Sequence, residues 1–290
     1  MIHVGCCSYN FRGLNLEDSL KLTASLGFKY ANIGAYDDSH PVPPSLILTR
    51  PEAIGKEIRN GCAKYGITPV EFFICSVSTG NIGGEMGKEE RVWPNDPDKP
   101  RREKMLEAFK KVCACAAEAG LRNIMGVPGL EGLNPAPDEG LSVSVETLAQ
   151  MLEIAKGYNV ALTIEPHTGS ITATPEKVLN LIKQVPGLTL SLDHTHFIGT
   201  GHSVEAILPL HEYASHLHGK PANKNATKCL FYEGEDFFTP VLRDFVKRNW
   251  EGVIAVECMY PVDAPNLTSH PAFQTVLTAG HIAKVLDGLR

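Results

Sequence analysis

Three carboxylates and one histidine each close a short apolar run in the second half of the chain: Glu165, Asp193, His218 and Glu257. Buried parallel strands read as nearly continuous apolar runs, and in a β/α barrel the side chains at their C-terminal ends face one shared cavity. Three carboxylates and an imidazole form a mostly hard ligand set, which suits Mn²⁺, Mg²⁺ or Co²⁺ better than a sulfur-seeking ion. The pattern therefore predicts a site for one divalent cation. Mn²⁺ is the first candidate, with Mg²⁺, Co²⁺ and Zn²⁺ as alternatives.

Two of these residues also have the chemistry of an acid/base pair. With four protein ligands, an octahedral cation keeps positions free for the adjacent oxygens of a hydroxy-ketone, and such chelation acidifies the C–H beside the carbonyl. Glu165 and Glu257 would come from strands three apart in an eight-stranded barrel, so they can approach opposite faces of the bound molecule. We expect one to remove a proton and the other to return one.

The elements that must position these residues alternate regularly along the chain. A helix candidate follows each strand candidate, such as residues 204–210 after the sixth strand. Alternation of this kind predicts a parallel sheet, and eight units predict closure into a single (β/α)8 TIM barrel over residues 1–290. The strand candidates are residues 2–7, 30–35, 68–77, 123–127, 161–165, 189–193, 215–218 and 253–258.

One long irregular stretch, residues 78–100, follows the third strand and is rich in glycine. A structureless connection of this length is uncommon in a compact domain and usually has a function. Because it follows the C-terminal end of a strand, it would lie on the same side of the barrel as the cation site. Trp93 within it is a poor residue to leave in water, so we expect a lid in which Trp93 contacts the substrate.

The motifs that carry the ligands resemble those of the sugar isomerase/epimerase superfamily of xylose isomerase-like TIM barrels, and most closely the ketose 3-epimerases. The resemblance implies an enzyme that isomerises or epimerises a small sugar through an enediolate. It also implies that the four residues bind one divalent metal and that His196 contacts the substrate. The motifs are Ile164-Glu-Pro-His167, Leu192-Asp-His-Thr-His196, His216-Leu-His218 and Val256-Glu257.

Other polar residues near these motifs are candidates for substrate contact. His167 lies two residues beyond Glu165, where it could act as a further acid or base. Lys220 follows the metal histidine closely and could hold a hydroxyl, carboxylate or phosphate group. Lys224 stands where ketose 3-epimerases have a substrate-binding arginine, and a lysine offers a point charge in place of a planar fork. We expect His216 to lie one layer deeper than His218, and strand alternation to turn His194 away from the site.

Composition limits the class of protein. The formal net charge is −6, and no basic stripe is present, which argues against a nucleic-acid ligand. No apolar run approaches the roughly 20 residues of a membrane span, and the first residues lack the pattern of a secretory signal. Eight cysteines without a Cys-x-x-Cys motif are typical of reduced core thiols. We expect a cytoplasmic protein that binds a small sugar and neither nucleic acid nor membrane; homo-oligomerisation is left open.

The main alternative is a lyase on the same site. Dehydration of a keto-inositol or elimination from an oxidised glycoside begins with the same proton abstraction, and His167 would serve as the extra acid or base.

A three-metal endonuclease needs histidines at the third and fourth strand ends, and residues 74–77 and 125–128 offer none. A Schiff-base aldolase is disfavoured because the sixth strand ends in Asp193 where lysine would be needed. A non-catalytic sugar-binding barrel would have little use for two opposed glutamates.

Overall fold

The structure is a computed structural model that describes residues 1–35, 41–75, 91–259 and 267–289. Its eight strands are β1 (Ile2–Cys7), β2 (Tyr30–Gly34), β3 (Thr68–Cys75), β4 (Asn123–Gly126), β5 (Ala161–Ile164), β6 (Thr189–Asp193), β7 (Ala214–Gly219) and β8 (Gly252–Val256). All neighbours are parallel and follow chain order, and β1 pairs with β8 to close the sheet. The closed barrel confirms the predicted TIM-barrel fold, and it brings the C-terminal ends of all eight strands to one rim.

Helices connect the strands around the outside of the barrel. They are α1 (Leu16–Ser25), α2 (Pro44–Thr49), α3 (Pro51–Tyr65), α4 (Lys99–Ala119), α5 (Pro137–Gly157), α6 (Pro175–Gln184), α7 (Thr195–Ile198), α8 (Val204–Ile207), α9 (Phe238–Lys247) and α10 (Pro271–Leu289). Local signals fix several ends. The Thr174 side chain accepts a hydrogen bond from the backbone N–H of Lys177 at the start of α6. Gly66 ends α3 with a φ of 65°, a left-handed conformation that glycine adopts without steric cost.

The sixth helical unit differs from its prediction. The sequence predicted one helix over residues 204–210, whereas α8 ends at Ile207 and a 3₁₀ segment, Leu208–Tyr213, follows. Pro209 explains the difference, because proline lacks the N–H that an α-helix would need there and its ring crowds the preceding turn. The sequence pattern also missed α2, a short helix that begins at Pro44 just before α3.

The main hydrophobic core lies between the sheet and the helices. A second, smaller cluster comes from the last residues of β1, β3, β4 and β8 and the segments after them: Cys7, Tyr9, Phe73, Trp93, Met125, Val127 and Ala255. Within the described ranges seven cysteines are buried and free of disulfides, as predicted. None of the helices in those ranges combines the length and apolar character needed to cross a membrane.

The predicted lid falls partly outside what the structure describes, since residues 76–90 are not among the described ranges. The remainder packs against the barrel. Trp93 is 2% exposed and belongs to the small cluster at the strand ends. Asp98 caps α4 by accepting the backbone N–H of Arg101. A lid over residues 78–100 therefore stays a prediction.

Candidate metal centre

The four predicted ligands converge at the C-terminal rim of the barrel. Glu165 follows β5 directly, Asp193 ends β6, His218 lies in β7 and Glu257 follows β8. One ligand atom from each lies within 4.8 Å of those of the other three, and all four residues are buried. The parallel register pairs Asp193 with His218 across β6 and β7, which places neighbouring ligands side by side. The barrel geometry therefore gathers residues that are widely separated in sequence.

His218 presents its two ring nitrogens to different groups. Nδ1 lies 3.0 Å from Glu165 Oε1 and 3.8 Å from Glu257 Oε1, so this nitrogen faces the cluster. Nε2 lies 3.0 Å from Glu71 Oε2, on the side of the barrel interior. Burial opposes charging of this imidazole, but the carboxylates of Glu257, Glu165 and Glu71 raise its pKa well above the ordinary value. Nδ1 is therefore the nitrogen that would ligate a cation.

Lys220 is the other positively charged partner of the cluster. Its Nζ lies 2.5 Å from Asp193 Oδ2 and 2.8 Å from Glu257 Oε2, and the residue is 6% exposed. Burial opposes the charge of Lys220, but Asp193, Glu257 and Glu165 raise its pKa well above the usual range. In turn, burial of Asp193 is outweighed by Lys220 and by His196, so the pKa of Asp193 is lowered. Asp193 stays ionised as a ligand requires.

Glu165 behaves differently from Asp193. Burial raises its pKa, and the nearby charge of Glu257 adds to this, while the hydrogen bond with His218 works in the opposite direction. A divalent cation beside Glu165 would act against both the burial and the repulsion from Glu257 and would favour the ionised carboxylate, which is the form that ligates.

The residues present fit a divalent cation. Three buried carboxylates this close together need positive charge among them, which Lys220 supplies beside Asp193 and Glu257 and which a cation would supply at the point that all three face. Carboxylate oxygens with one imidazole nitrogen suit Mn²⁺, Mg²⁺, Co²⁺ or Zn²⁺. The Nδ1 atom of His218 and the carboxylate oxygens face a common point, so Glu165, Asp193, His218 and Glu257 are the residues that would hold the ion.

Two further histidines lie at the edge of the cluster. His196 Nε2 is 3.7 Å from Asp193 Oδ2 and 4.0 Å from Glu165 Oε1. Burial, together with the charge of Lys220, lowers the pKa of His196 well below its ordinary value, so this imidazole is neutral. The ring of His167 lies against it, with ring centroids 3.9 Å apart and the two planes inclined by 42°. His167 Nδ1 lies 2.7 Å from the carbonyl oxygen of Thr168, and because a carbonyl oxygen only accepts, Nδ1 donates its proton there.

Other predicted residues occupy different surroundings. Lys224 is exposed in a turn beyond β7, where its backbone N–H lies 3.5 Å from Glu235 Oε1, so it lies outside the buried cluster. Trp93 packs among the apolar residues at the strand ends. His194 lies on the outer face of the sheet, as strand alternation predicted, and its Nε2 is 2.8 Å from His211 Nε2. Substrate contact by Lys224 and by Trp93 stays a prediction.

A buried polar layer beneath the cluster was not foreseen. Glu71 of β3 is fully buried, and its carboxylate lies within hydrogen-bond distance of Asn32, Thr163, Ser191 and His218. His216 belongs to this layer, one level below His218, as its position in the strand predicted. The signal for Glu71 was present in the sequence, because a charged residue interrupts the apolar run of residues 70–74.

This closed parallel α/β barrel with a buried cluster of acids and a histidine at its rim defines a class of protein. The chain belongs to the xylose isomerase-like TIM barrel family, whose sequence profile matches residues 20–275. No curated protein matches the chain by sequence.

Solved structures of similar fold include several sugar epimerases. L-ribulose 3-epimerase matches with a TM-score of 0.75 and 17% identity, covering 100% of this chain and 96% of that one. The 3-keto-D-glucoside 4-epimerase of E. coli matches with a TM-score of 0.67 and 13% identity, covering 100% and 99%. An IolI protein with a bound zinc atom gives a TM-score of 0.74 and 17% identity, covering 99% of each chain. At these identities the similarity establishes the fold.

Proposed function

We propose that the protein is a divalent-metal-dependent isomerase or epimerase of a small sugar, acting through an enediolate. The observation that carries the proposal is the placement of Glu165 and Glu257. Both carboxylates reach the same buried point from strands three apart, β5 and β8. Two proton-transfer groups on different sides of one carbon are what inversion at that carbon requires, and a 1,2-proton transfer needs only one of them. Membership of the xylose isomerase-like family and the fold shared with sugar epimerases support the same chemistry.

The bound cation, for which Mn²⁺ is the first candidate, would polarise the substrate carbonyl and acidify the adjacent C–H. The protein's own residues perform the remaining steps. One of the two glutamates, Glu165 or Glu257, takes the proton from the carbon beside the carbonyl, and the other returns a proton to the enediolate. Asp193 and His218 complete the ligand set. Because all four are buried, water is kept from competing for the transferred proton.

The substrate would be oriented by groups at the edge of the cluster. His196 offers a neutral imidazole, and the imidazole of His167 lies beside it; both can bond sugar hydroxyls. Lys220 offers an ammonium beside Asp193 and Glu257. Trp93 and Lys224 are proposed as further substrate contacts, which the segments around them would bring to the substrate when it binds. We place the protein in the cytoplasm, acting on a soluble sugar, and leave its oligomeric state open.

Turnover in D₂O tests the proposal. The Mn²⁺-loaded protein is incubated with a panel of ketoses, keto-inositols and 3-keto-glycosides, and the products are identified by mass spectrometry and NMR. Proton exchange by the two glutamates should place deuterium at the carbon beside the carbonyl. The carbon skeleton and oxygen count should remain unchanged.

A lyase on this site would give a different result. Water or an aglycone would leave, the sugar product would lose the corresponding mass, and His167→Ala would impair that step because a leaving group needs an acid. Appearance of eliminated products alone would overturn the isomerase or epimerase proposal. Absence of turnover with every keto sugar, in protein that binds the cation, would favour a non-catalytic barrel.

A further inference from the structure

Glu71 lies at the centre of the buried polar layer beneath the ligand cluster. It is 0% exposed, in the middle of β3, and every group within hydrogen-bond distance of its carboxylate can donate. Ser191 Oγ is 3.1 Å from Oε2 and Thr163 Oγ1 is 3.3 Å from Oε1. Asn32 Nδ2 and His218 Nε2 lie 3.2 and 3.0 Å from Oε2. A buried carboxylate is stabilised only by such donors, so the contacts fix the positions of protons around it.

The contact with His218 therefore determines a tautomer. A carboxylate can only accept a hydrogen bond, so the proton of His218 that faces Glu71 must be on Nε2. In the structure Nδ1 lies 3.0 Å from the Glu165 carboxylate, so Nδ1 also carries a proton and the imidazole is charged. A cation at the cluster would take the place of the Nδ1 proton, while the contact with Glu71 keeps the proton on Nε2. The arrangement is that of a histidine ligand whose second nitrogen is held by a carboxylate.

A second cation in the layer itself is disfavoured by Asn32. The three atoms that could otherwise share an ion are Glu71 Oε2, His216 Nε2 and His218 Nε2. Asn32 Nδ2 lies 3.0 to 3.2 Å from all of them, so an amide nitrogen already stands at their meeting point. Placing the amide oxygen there instead would set it against the Glu71 carboxylate. With the amide nitrogen at this point, the two N–H groups of Asn32 can donate to Glu71 Oε2 and to His216 Nε2.

We infer that Glu71 is a positioning residue that holds His218 in the Nε2–H tautomer, with Nδ1 turned to the cation. The inference rests on the proposed function, because it concerns the same cation site. Glu71 does not touch the cation or the substrate and acts through His218. Outer partners of this kind typically contribute about 10- to 100-fold to metal affinity. Sequence patterns assign Glu71 no role, since it lies in a strand interior away from the four ligand motifs.

The test compares Glu71→Gln with Ser191→Ala. Glutamine keeps the shape of Glu71, but an amide can present either a donor or an acceptor to His218, so the tautomer is no longer fixed. Alanine at position 191 removes a hydrogen bond to the same carboxylate oxygen without touching His218. Zn²⁺ affinity is measured for both by competition with a chromogenic chelator. We expect Glu71→Gln to weaken Zn²⁺ binding by about 10- to 100-fold and Ser191→Ala to leave it essentially unchanged.

A spectroscopic measurement on the unmodified protein removes any dependence on how well the variants fold. The ¹⁵N spectrum of histidine-labelled, Zn²⁺-loaded protein reports which nitrogen of His218 carries a proton and which binds the metal. We expect protonated Nε2 and metal-bound Nδ1. Metal on Nε2, or equal loss of affinity in Glu71→Gln and Ser191→Ala, would overturn the inference while leaving a metal enzyme in place. Failure of the wild-type protein to bind any divalent cation would instead overturn the proposed function.

Discussion

At the scale of single residues, replacing Glu165 or Glu257 by glutamine should remove proton transfer while part of the cation binding is kept. In Glu165→Gln and Glu257→Gln the amide oxygen can still coordinate weakly, but the group can no longer accept the substrate proton. We expect the turnover number to fall by a factor of roughly 10² to 10⁴ in each variant. Steady-state kinetics at saturating Mn²⁺, with Mn²⁺ affinity measured in parallel, provides the test.

Glu212→Gln serves as the matched control, since Glu212 is exposed and precedes β7, at the opposite end of that strand from His218. It should retain wild-type turnover. If both Glu165→Gln and Glu257→Gln also retained it, the acid/base assignment would be wrong.

The sequence could predict the ligand residues because each closes an apolar run, and strand ends in a parallel barrel share a rim. It could predict the depth of His216 and the outward direction of His194 from alternation alone. The charge of Glu71 within an apolar run is visible in the sequence, but its partners could not be predicted, because alternation says which side of the sheet a residue faces and not which side chains from other strands meet it there. The donors around Glu71 come from β2, β5, β6 and β7, and only the closed barrel brings them together.

At the scale of elements, a chain of hydrogen bonds joins the end of β6 to α9. His194 Nε2 lies 2.8 Å from His211 Nε2, and His211 Nδ1 lies 2.7 Å from Asp244 Oδ2. Because the carboxylate only accepts, His211 donates from Nδ1 and must accept from His194 at Nε2. A proton added to His211 would go to Nε2 and would set two N–H groups against each other. Burial, the main cause, lowers the pKa of both histidines below the ordinary value.

This chain of hydrogen bonds predicts that the unfolding free energy decreases as the pH falls. Histidines whose folded pKa is lowered take up protons only in the unfolded state once the pH falls below about 6.5, so unfolding becomes easier as the pH decreases. Glutamine at position 194 can still donate to His211 but cannot take up a proton. The unfolding free energy of His194→Gln should therefore depend less on pH than that of the wild type, by up to about 1.4 kcal/mol per pH unit.

Denaturant unfolding of chelator-treated protein between pH 7.5 and pH 5 would measure the two slopes. Identical slopes in wild type and His194→Gln would contradict the prediction. Asp244 adds no pH dependence between pH 7.5 and pH 5. Its pKa is lowered in the folded protein, so the stability that its ionised form provides is lost only when the pH falls below the ordinary pKa of an aspartate.

The eight strands were predictable as elements because buried parallel strands have a simple apolar pattern, and their order followed from alternation. The connections were less predictable. Pro209 stops α8 within what reads as one apolar helix, and α2 is too short for its periodicity to stand out. Their conformations depend on local backbone chemistry and on packing against neighbours, which a hydrophobic pattern does not encode.

At the scale of the whole molecule, the cation should stabilise the fold as well as support turnover. The ligands come from four strands, so a bound ion ties β5, β6, β7 and β8 together. A ligand that binds only the folded state at 100 times its dissociation constant stabilises that state by about 2.7 kcal/mol. Chelator treatment should therefore abolish turnover and lower the Tm, and Mn²⁺ or Co²⁺ should restore both more fully than Ca²⁺, whose bonds are longer.

Calorimetric scans over a series of Mn²⁺ concentrations would check this, with Asp193→Asn as the comparison. That variant weakens one ligand, so its Tm should respond less to Mn²⁺. An elemental analysis that finds no divalent metal in freshly purified, active protein would rule out the metal-dependent mechanism.

The seam between β1 and β8 has a consequence for synthesis. The first strand pairs with the last over residues Ile2↔Gly252 to Cys6↔Val256, and Asn10 bonds the backbone on both sides of Glu257. During translation, at about 5 to 20 residues per second, β1 must therefore wait on the order of ten seconds or more for its partner to leave the ribosome. Until then β1 has an unpaired edge, and the cation site lacks its final ligand. The nascent chain is thus most exposed to aggregation just before it becomes able to bind metal.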